Sequence, residues 1–375
     1  MIRLRHILPV LFALLVSCKK PYNPHIVAAP DSYLVVEGVI NPGSDTTIIK
    51  LSRTVNVDSK KTSNPELSAI INIEDSQGNT WQLNSDGTGR YLSAGVLNLP
   101  LSSKYRLDIA TTDGEKYQSD FIDVKPTPPI DSIGYNIRNG NLQIYVNAHD
   151  AGNSTRCYRW EYNETWQFNT KYSSSLVADT VTNKLTGRRP DQQVFNCFGN
   201  DRSTNILLGS TAGLSSDVVY QNILTSAALS SEKLETKYSI IVRQYALTAD
   251  AFQFYTLLKK NTEDLGTIFG ELPSELVGNV HCISNPAKIA LGYITATNVQ
   301  SKRIFIPNST LPPTPTVYPY DCLIDSTRDG SIFFGSASDI TPIAFDSDKG
   351  VYIYSSAGCT DCTIRGTTQI PSFWK

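Results

Sequence analysis

Charge of one sign is scarce in this chain. Its 33 Lys and Arg nearly balance 35 Asp and Glu, for a formal net charge of −2. Nucleic-acid binding calls for a basic stripe that this balance does not supply. Long apolar runs are missing too. The stretch ILPVLFALLV, residues 7–16, has about half the roughly 20 residues that a membrane-spanning helix needs. Histidine is limited to four positions, of which only His149 and His281 lie beyond the first thirty residues. No G-x-S-x-G, H-E-x-x-H or phosphate-binding glycine loop occurs, so no familiar hydrolase, zinc-protease or nucleotide site is marked. No catalytic residue, metal ligand or cofactor is assigned, and the chain is not read as an enzyme.

What is present begins with the leader. Arg3 and Arg5 precede the apolar run, and Leu15-Val16-Ser17-Cys18 closes it. A charged start, a short apolar core and a small residue at the break describe a signal peptide over residues 1–17. The four closing residues resemble the bacterial lipobox, which makes Cys18 the expected lipidation site and outer-membrane lipid the expected partner. Two acyl anchors or more hold a protein to a membrane without a spanning segment. Lys19 follows, a pattern that resembles release to the outer membrane; which face it would occupy is open. Residues 18–30 read as a lipidated tether: three prolines and few core-forming residues disfavour regular structure. Fully extended, such a tether reaches about 40 Å.

Forty per cent hydrophobic residues, with 19 Tyr, 13 Phe and 4 Trp, describe a packed body. Strand-length segments separated by Gly, Asn and Asp turns fill residues 31–124, which read as an immunoglobulin-like β-sandwich. Three prolines then mark residues 125–132 as a linker. Residues 133–375 read as a larger β-rich domain with one helix near 248–264, N-capped by Thr248 and buried through Ala251, Phe254, Tyr255 and Leu258. The expected fold class is mainly β.

Beyond Cys18 stand six cysteines: Cys157, Cys197, Cys282, Cys322, Cys359 and Cys362. An even number in an exported chain reads as disulfides. Proximity in sequence favours Cys157–Cys197, Cys282–Cys322 and Cys359–Cys362. Cys359-Thr-Asp-Cys362 also has zinc-ligand spacing, with His281-Cys282 upstream, but no second C-x-x-C accompanies it.

In the segment CYRWEYNETWQF, residues 157–168, the side chains alternate. Tyr158, Trp160 and Tyr162 share one face; Arg159, Glu161 and Asn163 share the other. The aromatic row, with Trp166, is the candidate ligand-stacking surface, against a core row as the plainer reading. His149-Asp150 as an acid–base half, and calcium loops at Asp325–Gly330 and Asp346–Gly350, are weaker candidates beside ordinary turns.

VVEGVI, PTPPIDSI, the run GTIFGELPSELVGNVHCISNP, ALGYITA and the ending CTDCTIRGTTQIPSFW together resemble a Bacteroidota lipoprotein family described as domain of unknown function 4249. The resemblance implies an outer-membrane lipoprotein acting beside a TonB-dependent transporter, as a binding or accessory module in nutrient uptake. It supplies no catalytic residue and no ligand. It also implies an ordered tail stapled by Cys359–Cys362, whose Phe373 and Trp374 dock on the domain itself or on a partner. The alternative is a structural or adhesion lipoprotein of the cell envelope without a small-molecule ligand.

Overall fold

A computed structural model describes residues 32–43, 45–55, 59–60, 63–263, 276–334 and 339–374. The expected signal peptide, Cys18 and the tether lie outside the described residues. Among those described, no helix is long and apolar enough to cross a membrane.

The first sandwich grows from strands that alternate apolar and polar residues. They are β1 (Leu34–Ile40), β2 (Ile48–Arg53), β3 (Ile70–Asp75), β4 (Thr80–Ser85), β5 (Arg90–Leu92), β6 (Lys104–Ala110), β7 (Lys116–Ser119) and β8 (Ile122–Asp123). Period-two alternation turns Leu34 and Val36, Ile71 and Ile73, and Tyr105, Leu107 and Ile109 into one core. Burying each such aliphatic side chain contributes about 1.5–3 kcal/mol. Asp75 closes the β3–β4 turn, its carboxylate accepting from the backbone N–H groups of Gln77 and Asn79. The strands pair in the order β7-β6-β3-β4-β5-β2-β1.

The chain continues through β9 (Ile130–Arg138), β10 (Asn141–His149), β11 (Cys157–Asn169), β12 (Leu176–Asp179), β13 (Lys184–Gly187), β14 (Asn196–Arg202), β15 (Leu207–Ser210), β16 (Val218–Ala228) and β17 (Lys237–Leu247). Helix α1 (Ala249–Glu263) follows, close to the expected span. The Thr248 hydroxyl accepts from the Ala251 N–H, as an N-cap should. Ala251 and Phe254 are buried, while Tyr255 and Leu258 are half-buried. Three short strands come next: β18 (Val280–Cys282), β19 (Ala290–Leu291) and β20 (Thr295–Ala296). Last are β21 (Gln300–Pro307), β22 (Asp325–Thr327), β23 (Ile340–Asp346) and β24 (Val351–Ser356).

The chain returns on itself. β18 pairs with β7 at one edge of the first sandwich, and β19 and β20 pair in parallel with β1 at the other. A bridge between His281 and Ile289 joins the two returning pieces, so the first sheet is nearly closed. This corrects the expected division at residue 133: residues 280–296 complete the first domain. They are too short to carry a periodicity of their own, and their places are set by the sheet edges they cover. Gly292 allows the approach, since a Cβ there would fall on the Val36 carbonyl oxygen.

The linker is also corrected, because it is pinned on both sides rather than free. Its Lys125 N–H donates to Ala296, Thr127 is buried with its hydroxyl 2.6 Å from that of Thr297, and the Pro128 carbonyl accepts from Gln244. The second sandwich packs the sheet β16-β10-β9 on the sheet β14-β11-β17-β21, to which β15 adds. Leu142, Ile144 and Val146 meet Trp160, Phe168, Ile240 and Val242 between the two layers. A third, small sheet, β22-β24-β23, lies beyond. The fold is mainly β with a single α-helix among the described residues, as expected.

The cysteines pair across distance instead of along the sequence. Cys197 is bonded to Cys362, 165 residues away, and Cys322 to Cys359, 37 residues away. The three expected pairings are therefore wrong, and Cys157 and Cys282 are buried free thiols. Cys282 lies in the first sandwich, opposite Tyr117 across the β18–β7 pair, while Cys322 lies in the segment before β22. Cys359 and Cys362 sit on successive turns and face different partners, one bond tying the tail to β14 and the other to the segment before β22.

Candidate binding face

The aromatic row is turned inward, a correction to its candidacy as a stacking surface. Tyr158 and Trp160 are 0% and 1% exposed, with rings stacked 5.6 Å apart. The Tyr158 hydroxyl donates to Asp217, and Trp160 Nε1 donates to Gln244 Oε1 at 2.9 Å. Tyr162 packs half-buried against the same core. Trp166 is buried, with the Lys233 ammonium 4.8 Å above its ring. Glycines on the flanking strands make room: Gly209 lies against Trp160 and Gly199 against Trp166. Glu164, on the same row, accepts from the Tyr238 hydroxyl at 2.5 Å and from Lys233 Nζ at 2.6 Å. Burial, followed by the Glu164 charge, pushes the Tyr238 phenol far above its ordinary range. These are core groups facing inward; most are paired within the core, while Trp166 Nε1 is buried without a hydrogen-bond partner.

The opposite face of β11 is the open one among the described residues. Strand register sets Arg159 beside Tyr245, Glu161 beside Arg243, and Asn163 beside Ile241. It then sets Arg243 beside Ser301 and Ile241 beside Arg303 on the next strand, with Arg202 of β14 opposite Asn163. Two structures wall this face. At one end α1 lays Tyr255 on the Arg159 guanidinium, 4.9 Å from the ring centre, while Tyr245 lies 4.4 Å away. Glu161 accepts from Arg159 at 2.5 Å and from the Tyr245 hydroxyl at 2.9 Å. Burial works against the Arg159 charge, yet Tyr255, Glu161 and Tyr245 outweigh it and hold its pKa above the ordinary value. Burial likewise opposes ionisation of Glu161, but Arg159 and Tyr245 keep its pKa low.

At the other end the tail docks on its own domain. The Trp374 ring stands edge-on to Phe198 at 5.0 Å and to Phe305 at 5.6 Å. The Arg303 guanidinium lies 3.6 Å from the Phe373 ring centre. Between the walls, Arg243 donates to Asn163 Oδ1 at 2.5 Å and Arg303 donates to Ser239 Oγ at 3.0 Å. Neither arginine forms an ion pair with a described carboxylate. Burial, then the neighbouring Arg243 charge, lowers the Arg303 pKa.

A second hollow, of about 230 Å³, lies where the sandwiches meet, lined by Asp120, Phe121, Asp123, Lys125, Asp250 and Tyr293. Asp120 lies 3.4 Å from His281 and Asp123 pairs with Lys104 at 3.1 Å. The weaker sequence candidates resolve into turns and surface pairs. His149 contacts Asp131 at 2.8 Å, not Asp150. Asp150 accepts from Gly152, Ser154 and Thr155; these bonds overcome its burial and lower its pKa to about 2. Asp346 accepts from the N–H groups of Asp348 and Lys349, and Asp329 from that of Ser331, as in ordinary Asx turns. No group of three metal-ligating side chains gathers among the described residues.

Sequence reasoning missed Arg243, Tyr245 and Arg303. KYSIIVRQYA reads as a strand, and its period-two pattern places Arg243 and Tyr245 on one side. Which side faces out is set by the second sheet, which the pattern of one strand does not contain.

These features define a protein of two fused β-sandwiches, one nearly closed and one presenting an arginine-bearing outer face. The chain belongs to the family described as Domain of unknown function (DUF4249), whose model matches residues 19–303. The closing stretch from Cys359 to Trp374, one of those that suggested the family, lies beyond the matched range. No curated protein matches the chain. Among solved structures, a candidate carbohydrate-binding protein of Bacteroides uniformis is similar at 10% identity and a TM-score of 0.15, covering 58% of this chain and 91% of that one. The calcium-binding domain CBD12 of CALX1.1 is similar at 8% identity and a TM-score of 0.15, covering 72% of this chain and 98% of that one.

Proposed function

We propose that this protein is an outer-membrane lipoprotein, anchored through acylated Cys18, that acts as a binding or accessory module beside a TonB-dependent transporter in nutrient uptake. The observation that carries the binding role is the outer face of β11, β17 and β21. It is a sheet face on rigid strands, walled at both ends, with charged side chains held in place and open between the walls. Rigid elements are the places where a binding constellation is held most accurately. The lipobox-like Leu15-Val16-Ser17-Cys18 supports the anchor, and the pinned linker supports a body that would present this face in one fixed orientation. Its role is capture, not chemistry: the most strongly shifted described groups, such as Tyr158 and Tyr238, are locked to buried carboxylates inside the core.

The test is an affinity pull-down from detergent-solubilised outer membranes. The tag belongs in the exposed Asn139–Gly140 turn, because the C-terminus is docked against the candidate face. Stoichiometric recovery of a TonB-dependent barrel is the expected result. Recovery of the folded lipoprotein alone points instead to the structural or adhesion role. A Cys18→Ser variant is expected to leave the membrane fraction; its retention there would sink the anchor.

A further inference from the structure

We propose that the open face between α1 and the Phe373–Trp374 wall binds a small, multiply charged anion, a carboxylate- or phosphate-bearing ligand, gripped by Arg243 and Arg303. This rests on the binding role proposed above and gives that role a ligand class.

Charge is the first ground. In a chain of net charge −2, the described strands of this face carry Arg159, Arg202, Lys237, Arg243 and Arg303 against one carboxylate, that of Glu161. Glu161 is the cross-strand neighbour of Arg243, yet its two oxygens are taken by Arg159 and by the Tyr245 hydroxyl. Arg243 and Arg303 are diagonal neighbours on adjacent strands, since Arg243 faces Ser301 and Arg303 faces Ile241. Two half-buried like charges side by side favour an anion between them.

Geometry is the second ground. Asn163 engages Arg243 and Ser239 engages Arg303, each accepting from one terminal nitrogen of the guanidinium. A guanidinium has five N–H donors in a planar fork. Phe373 covers one plane of Arg303 and fixes the direction of that fork. Neither arginine has a buried unpartnered nitrogen, so the donors left over retain contact with solvent. Two forks held side by side suit the paired oxygens of carboxylate or phosphate. Because the side chains are already held, little rotamer freedom is lost on binding.

The measurement is calorimetric titration of the purified full chain in detergent, at low ionic strength, with citrate and separately with inorganic phosphate. Saturable binding of at least one probe is expected, weakening as salt is added. Arg243→Gln/Arg303→Gln is expected to lose at least about tenfold in affinity, or about 1.4 kcal/mol. Arg90→Gln, an arginine near Asp86 on the first sandwich, is expected to bind as the wild type does. Preference for citrate assigns a carboxylate ligand, and preference for phosphate a phosphoryl one. A second readout needs no variant: the bound probe should shield Arg243 and Arg303 of the wild type from phenylglyoxal, read by mass spectrometry. No saturable heat from either probe, equal affinity in the double variant, or unshielded arginines would each overturn the proposal. The pull-down repeated on the double variant separates the two readings, since a transporter still recovered without anion binding leaves the accessory role standing and removes the anionic ligand alone.

Discussion

The two sandwiches solve the same packing problem differently. The first ends its sheet by closing it, with β18 on one edge and β19 and β20 on the other. Two of its buried tyrosines hand their hydroxyls to the backbone: Tyr91 donates to the Glu66 carbonyl and Tyr105 to that of Pro100. The second keeps an open outer face and fills its core with side-chain pairs, Tyr158 with Asp217, Tyr238 with Glu164 and Trp160 with Gln244. It also carries the two disulfides found among the described residues. A closed sheet of aliphatic residues can spare its surface. An open sheet with charged groups on one side needs a more specified core and covalent staples to hold that side still.

The sharpest way to break this comparison is Trp160→Ala. It empties the centre of the second core and leaves Gln244 Oε1 without its donor, for an expected loss of about 3–5 kcal/mol. Urea unfolding followed by hydrogen exchange should show the second sandwich opening while β1 to β7 stay protected. Equal loss of protection in both would mean that the pinned linker makes them one cooperative unit. Next is Cys197→Ser/Cys362→Ser, expected to cost about 2–5 kcal/mol. The exchange it adds should concentrate in the tail and the small sheet, and loosening confined to the first sandwich would contradict the assignment.

The smallest effect concerns His149, whose pKa is raised by its hydrogen bond to Asp131 and by the Asp131 charge. The stability from this pair is present in full below about pH 6.5, the unfolded value. It is lost as pH rises through the raised folded value. Thermal melts of His149→Gln should therefore differ from wild type more at pH 5.5 than at pH 8.5, and the reverse order would refute the pairing.

Much of the first sandwich was legible because each strand carried its own answer. YLVVEGVI, SAIINIED and KYRLDIA alternate, and Gly, Asn and Asp mark their turns. Helix α1 was legible for the same local reason, through Thr248 and the apolar stripe that follows it. The disulfides were not legible, because proximity along a chain says little about proximity across two sheets. The return of residues 280–296 was hidden because strands of two and three residues contain no period to read.

The sequence by itself determined the mainly β class and the division of β11 into an aromatic and a charged face. It did so because each depends on residues near one another in the chain. Only the tertiary structure decided which face of β11 looks outward, which cysteines meet, and where Phe373 and Trp374 come to rest. A strand has two equivalent sides until a second sheet covers one of them, and here the aliphatic residues of β10 cover the aromatic side. That choice leaves Arg243 and Arg303 in the open.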